Sequence, residues 1–270
     1  MEDSQLIKKY LLETMKCFHD FCEQNGIKYY LLGGTLLGAV RHRGFIPWDD
    51  DLDVAMLRSD YERLLALTAN VPDGFELNSI EHTENYIYPF AKFCHKGFIV
   101  EEPFYKPFLT GLWIDVFPLD YVSESQYVQK FQFLLIGILR NLFILKNYSF
   151  KPSKRSRFSK IFAVIAAHTT QLIPAWVLYS LMRRIQVNFP NRFSDKNHLA
   201  NLHGAWGAKE VGCKSLFKKR SLYDFENEKF WSMADSNSWL SKVYGDYMQF
   251  PPVEKRVSEH IGKIVKVKDS

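Results

Sequence analysis

The stretch LLGGTLLGAVRHRGFIPWDDDLDVAM, Leu31 to Met56, sets the terms for the whole chain. Gly33, Gly34 and Thr35 precede an acidic run of Asp49, Asp50, Asp51 and Asp53. Like charges this close repel, and each raises its neighbours' pKa unless a cation or hydrogen bonds offset it. A compensating partner is therefore expected. In a strand, alternate side chains share a face. A strand over Leu52–Leu57 turns Asp51 and Asp53 to one side, while Leu52, Val54 and Met56 pack behind. Two such carboxylates suit a hard cation: magnesium accepts one or two protein carboxylates and fills its other positions with water and substrate phosphate. A solvated acidic turn is the competing reading. A calcium loop is rejected. Asp49, Asp51 and Asp53 fit its first ligand positions, but Val54 stands where glycine is needed and Asp60 where the closing glutamate belongs.

Lys28–Leu32 reads as a short buried strand, broken by Gly33-Gly34, with Thr35–Arg41 opening a helix. Glycines between strand and helix let the backbone approach a phosphate, which the free N–H groups and positive dipole of the helix start then favour. Neither a Walker lysine nor G-x-G-x-x-G is present. A third carboxylate is expected on another strand. Asp115 lies within Trp113–Phe117, which reads as an apolar strand ended by Pro118, where an unpaired charge is expensive. Asp120, past Pro118, reads as a loop or cap residue. Arg41 and His42 follow the glycine helix and are candidate phosphate ligands, with a solvated helix end as the plain alternative. Lys92 alternates with apolar neighbours and is expected to point into the cleft. His95, His168 and His203 read as structural or exposed.

The chain has 270 residues, 47% of them hydrophobic and 16% aromatic, so it can bury a large core. The net charge of +5 suits anionic substrates or an anionic membrane surface and is too weak to demand nucleic acid. Cys17, Cys22, Cys94 and Cys213 form neither a C-x-x-C nor a zinc pattern and read as reduced packing thiols in the cytoplasm. The start, Met1-Glu2-Asp3-Ser4, lacks a signal-peptide pattern, and no apolar run is long enough to span a membrane.

Residues 3–25 read as an amphipathic helix with Leu6, Tyr10, Met15, Phe18 and Cys22 near one face. Ser59 reads as the cap of a helix to about Ala69, and Phe75–Ile80 and Tyr86–Cys94 as strands. Alternating elements over 1–122 indicate an α/β or α+β core. Residues 123–200 form a helical subdomain: 125–148 and 158–188 read as helices around a basic linker containing Lys151, Lys154, Arg155, Arg157 and Lys160. That pattern suits either an ordinary helical subdomain or peripheral contact with the inner face of an anionic membrane. Residues 201–270 complete the catalytic lobe.

GGTLLGAVRHRGFIPWDDDLDV, then GLWIDVFPLD (Gly111–Asp120) and YGDYMQFPP (Tyr244–Pro252), resembles the LicD family over most of the chain. The resemblance implies a nucleotidyltransferase-like mixed sheet with flanking helices. It implies that Gly33, Gly34 and Thr35 form the phosphate-binding turn, that Asp51 and Asp53 bind metal, and that Asp115 is the third, acceptor-side carboxylate. The metal implied is Mg²⁺, or Mn²⁺ in its place, in a two-metal transfer. The implied reaction moves phosphocholine from CDP-choline, a CDP-linked donor, onto a cell-surface glycan such as lipopolysaccharide or teichoic acid, or its lipid-linked precursor. Fukutin-type relatives keep polyol-phosphate transfer open. Nucleotidyl transfer and a catalytically inactive module that binds glycan or nucleotide stay open as well. Choline recognition asks for an aromatic cage, and Trp48, Trp113, Phe104 and Tyr105 are the candidates.

Overall fold

Leu11, Met15, Phe18 and Cys22 recur at helical spacing, and α1 (Glu2–Gln24) buries all four. Leu6, expected on the same face, is 41% exposed. It lies five residues before Leu11, about 140° around the helix. Gly26 ends α1 with a left-handed backbone, φ +60. The computed structural model describes residues 2–102, 108–147, 170, 172–188, 196–256 and 263–267.

After α1 come β1 (Tyr30–Leu31), α2 (Gly33–His42), β2 (Asp53–Leu57), α3 (Arg58–Ala66), β3 (Phe75–Asn78), β4 (Ala91–Glu102) and β5 (Phe108–Val122). Helices α4 (Gln126–Asn147) and α5 (Ala175–Val187) follow, then β6 (His198–Asn201), β7 (Val211–Cys213), β8 (Arg220–Phe225), β9 (Glu228–Met233), α6 (Ser236–Tyr244) and β10 (Lys263–Val267). Eight strands form one mixed sheet with the path β1-β2-β5-β4-β10; β3 joins β4, and β6 joins β5 and β7. Only β2 and β5 run parallel among these pairs. β8 and β9 form a separate hairpin. The fold is mixed α/β, as the alternation predicts.

Several boundaries differ from expectation. Pro118 does not end its strand: β5 runs on to Val122. Pro118 falls between the last β4 pair, Ala91 with Val116, and the first β6 pair, Leu119 with Asn201. No antiparallel partner stands opposite it, so its missing N–H costs no bond there. β4 begins at Ala91 rather than Tyr86 and passes Gly97 through a register shift between His95 and Val100. A bulge thus carries the strand past its expected end at Cys94. β3 pairs its first half and β10 its second. α3 starts at Arg58, one residue before the expected cap Ser59, and ends at Ala66. A continuous helix over 158–188 is not formed, because Leu172–Pro174 is turn and extended chain before α5. Pro174 lacks the N–H that a helix interior requires. Residues 158–169, His168 and the basic linker lie outside the described residues.

The main core joins α1, β1, α2, β2, β4 and β5 to Phe225, Phe230, Trp239, Leu240 and Val243 from the C-terminal segment. Emptying one such site, as in Phe18→Ala, costs about 3–5 kcal/mol. A second cluster gathers Ile136 and Phe143 of α4 and Leu178 and Met182 of α5 around Val122, Ala200 and Val211. No helix among the described residues is long and apolar enough to cross a membrane. Cys22 and Cys94 are buried, Cys17 is half-buried, and Cys213 is exposed; all four are free thiols.

Candidate active site

The parallel pairing of β2 with β5 sets Asp53 opposite Asp115, and the antiparallel pairing of β5 with β4 sets Asp115 opposite Lys92. Register partners point to the same face. Asp53, Asp115 and Lys92 therefore form a row across three adjacent strands. Lys92 is only 2% exposed. Its Nζ lies 2.9 Å from Asp115 Oδ1, 3.8 Å from the Trp113 ring centroid and 4.2 Å from that of Tyr88. A buried ammonium needs such compensation. Lys92 thus faces the carboxylates, as the alternation indicates.

Helix α2 starts at the foot of this row. Leu32 is extended and donates its N–H to Asp53 O at 3.1 Å. Gly33 then turns with φ +57, a left-handed conformation that side chains disfavour. A Cβ on Gly33 would stand 2.6 Å from Asp53 Oδ2, and one on Gly34 would overlap Asp49 Oδ2. The two glycines thus make room for two carboxylates. Thr35 is buried, and its hydroxyl accepts the Asp53 N–H at 2.7 Å, tying α2 to β2. Asp49 and Asp51 line a narrow crevice with Gly34 and Thr35.

The loop carrying the acidic run is braced from two sides. Lys8 of α1 donates to Ile46 O and Pro47 O, each at 3.1 Å. Glu226, in the β8–β9 turn, accepts the Phe45 N–H at 3.0 Å and donates its own N–H to Arg43 O at 2.7 Å. Neither residue is signalled by the sequence.

Burial and like charge dominate the electrostatics. Burial first, then the charges of Asp53 and Asp49, push the Asp51 carboxyl up to about 10. Asp53 is pushed well above the usual carboxylate range by burial, then by Asp115, Asp49 and Glu210, with Lys92 pulling it back. Lys92 offsets this mutual repulsion only in part, and a hard cation would relieve the rest. Among the described residues, no three His, Cys, Asp or Glu side chains form a cluster ready to hold one metal ion. The Lys92 pair already engages Asp115. A magnesium site of two carboxylates completed by substrate oxygens fits this arrangement.

Arg41 and His42 lie at the other end of α2. Arg41 Nη1 donates to Tyr247 O at 2.7 Å and Gln249 O at 3.2 Å, fastening the C-terminal loop to the helix. The Arg41 guanidinium also stacks over Phe250 at 5.0 Å, and His42 packs against Trp48 and Phe250. Part of each side chain is therefore used to close the site's wall. Asp120 does not fix a loop. It is buried in β5 and takes a bidentate pair from Arg58 at 2.7 and 2.6 Å. His203 is buried against Gln186, and His95 is half-buried, 3.6 Å from Glu13. Two of the cage aromatics already carry a cation of the chain: Lys92 over Trp113, and Arg256 over Trp48 at 5.2 Å. Phe104 and Tyr105 lie outside the described residues.

Tyr244 closes the site from α6. Burial raises its pKa, and Asp53, Glu210 and Asp49 raise it further. Glu210 is buried and accepts the Trp206 N–H at 3.0 Å. It sits in a short 3-10 turn, where no periodicity marks it.

Residues 26–165 match the family model described as LicD/FKTN/FKRP, nucleotidyltransferase domain. The chain belongs to the LicD family. It is 28% identical to the lipopolysaccharide cholinephosphotransferase LicD of Haemophilus influenzae, over 97% of this chain and 96% of that protein. An uncharacterised protein of Rickettsia prowazekii is 33% identical over 49% of this chain and 53% of its own length. The ribitol 5-phosphate transferase FKRP of Homo sapiens is 44% identical over 50 residues, 18% of this chain and 10% of that protein. This LicD-family chain carries its glycine turn, its acidic run and Asp115 all within the matched residues.

Proposed function

We propose that this chain transfers phosphocholine from CDP-choline to a hydroxyl of a lipopolysaccharide-type glycan or its lipid-linked precursor. It is a phosphotransferase of the LicD family. One observation carries the catalytic reading: Asp53 and Asp115 are register partners on neighbouring strands, with Gly33 against Asp53. The choice of donor rests on the near full-length match to the cholinephosphotransferase.

Asp51 and Asp53 would hold Mg²⁺ or Mn²⁺, completed by substrate oxygens, with Asp115 facing Asp53 from β5. When bound, the metal neutralises charge on the diphosphate and polarises the transferred phosphoryl group. The chain's own groups do the positioning. The N-terminus of α2 directs backbone N–H groups at phosphate oxygens. Lys92, whose Nζ lies 2.9 Å from Asp115 Oδ1, orients that carboxylate. Asp115 accepts the proton of the acceptor hydroxyl, whose oxygen attacks the phosphorus bearing choline, and CMP leaves. Arg41 and His42 help to bind the phosphates while bracing the wall. Most of the acceleration comes from positioning and charge stabilisation.

The test is CMP release by purified protein with a choline-free glycan acceptor, comparing CDP-choline with CDP-ribitol and CDP-glycerol. Turnover with CDP-choline that stops with EDTA and returns with Mg²⁺ is expected. CMP released from a CDP-polyol alone would move the chain to polyol-phosphate transfer, the second reading, which the local match to FKRP favours. The basic run Lys151–Lys160 suits peripheral contact with an anionic leaflet. Salt-sensitive flotation with anionic vesicles tests that, and absence of binding at low salt rejects it.

A further inference from the structure

A quaternary ammonium ion is held over ring faces, helped by nearby negative charge. The two cage aromatics of the sequence that are described do not offer this. Lys92, itself buried, covers Trp113. Arg256 covers Trp48 and is anchored by its Nε donating to Pro251 O at 2.8 Å.

Another corner has the required shape. Trp206 and Tyr244 meet edge to face, with centroids 5.1 Å apart and planes at 77°. Trp206 is held from behind by its backbone N–H, which donates to Glu210 at 3.0 Å. Trp206 is 46% exposed, so a ligand can reach it. Its ring already accepts a cation, Lys209 Nζ at 5.5 Å from the centroid. Unlike Lys92, Lys209 is exposed and free to swing aside. Glu210 adds a buried carboxylate beside the rings, and Gly204 leaves the space that it occupies. The corner adjoins the catalytic row. Arg41 of α2 binds the carbonyls of Tyr247 and Gln249, just past Tyr244. Asp53 and Asp49 act electrostatically on Tyr244 itself.

We propose that Trp206 and Tyr244, with the Glu210 carboxylate beside them, hold the trimethylammonium end of the donor. This rests on the phosphocholine reading above and assigns its specificity. A polyol-phosphate donor carries no cation and gains little from these rings.

Calorimetric titration of the full chain with CDP-choline, CDP-glycerol and CMP tests the assignment, with thermal melts to confirm folding. Trp206→Leu should weaken CDP-choline by about tenfold and leave CDP-glycerol and CMP within about twofold, the scale of one lost cation–π contact. Trp206→Phe keeps a ring face and should retain most of the CDP-choline affinity. Glu210→Gln keeps the shape, loses the charge and should weaken CDP-choline selectively. If the wild type binds CDP-choline and Trp206→Leu weakens all three ligands equally, or none, the assignment is wrong and the phosphocholine reading stands. If the wild type binds CDP-glycerol and not CDP-choline, the phosphocholine reading fails and takes the assignment with it.

Discussion

Replacing Gly33 by alanine changes one methyl group at the tightest point of the site. Two costs follow from the geometry. Gly33 has φ +57, and an alanine held in that conformation costs about 1–2 kcal/mol. The new Cβ would also stand 2.6 Å from Asp53 Oδ2 and 3.5 Å from Asp53 Cγ. Relief requires the Asp53 carboxylate to retreat by somewhat under 1 Å, and misplacement on that scale costs on the order of 100-fold in rate. Gly26→Ala supplies the control. Gly26 has φ +60, and its nearest contact would be Arg63 Nη2 at an ordinary 4.0 Å. Both variants should melt a few degrees lower, at about 2–4 °C per kcal/mol for a chain of this size. Only Gly33→Ala should lose turnover, by about 100-fold at saturating donor. The measurements are melting by circular dichroism and CMP release. The reasoning fails if folded Gly33→Ala keeps a third or more of wild-type turnover, or if Gly26→Ala is equally inactive.

Asp51→Asn, Asp53→Asn and Asp115→Asn should each abolish metal-dependent CMP release. The first two should melt no lower than wild type, because each removes a member of a mutually repelling set; near-normal turnover in any variant disproves that residue's role. Arg58→Met strands the buried Asp120 carboxylate and should cost about 3–5 kcal/mol in urea unfolding, while adding Asp120→Leu should restore much of the loss. A single-variant loss below about 1 kcal/mol counts against a buried pair. His203 is held down to about 3 by burial, then by Arg58 and Arg140. A folded-state pKa below the unfolded value of about 6.5 gives stability that is full above pH 6.5 and lost as pH falls, about 2 kcal/mol by pH 5. His203→Met should lack that slope, and an unchanged slope between pH 7 and 5 locates the titration elsewhere.

Local pattern made much of the catalytic half legible. Helical spacing exposed α1, alternation exposed β2, and a charge in an apolar strand marked Asp115. The row itself was less visible, because Asp53 meets Asp115 through a parallel pairing of distant segments. Pro118 misled because proline is a local signal, whereas its tolerance depends on which neighbours pair on either side. Asp120 read as a loop residue because its partner, Arg58, stands on a helix far back in the chain. Lys8, Glu210 and Glu226 lie in segments with no distinguishing periodicity, and only tertiary contact gives them roles. Trp206 was invisible for the same reason, and Tyr244 was visible only as part of a motif.

The site's acidic row and its outer wall come from opposite ends of the chain. Every carboxylate of the row is made by the time Asp115 leaves the ribosome, whereas the Tyr247 and Gln249 carbonyls that Arg41 grips come much later. At ordinary synthesis rates the interval is on the order of ten seconds. Through it, the nascent core lacks Trp239, Leu240 and Val243 and presents an open apolar face. A ribosome that stalls before Ser236 therefore releases a chain with a full set of acidic side chains and an unfinished interior, a substrate for chaperones and proteases rather than a slow enzyme.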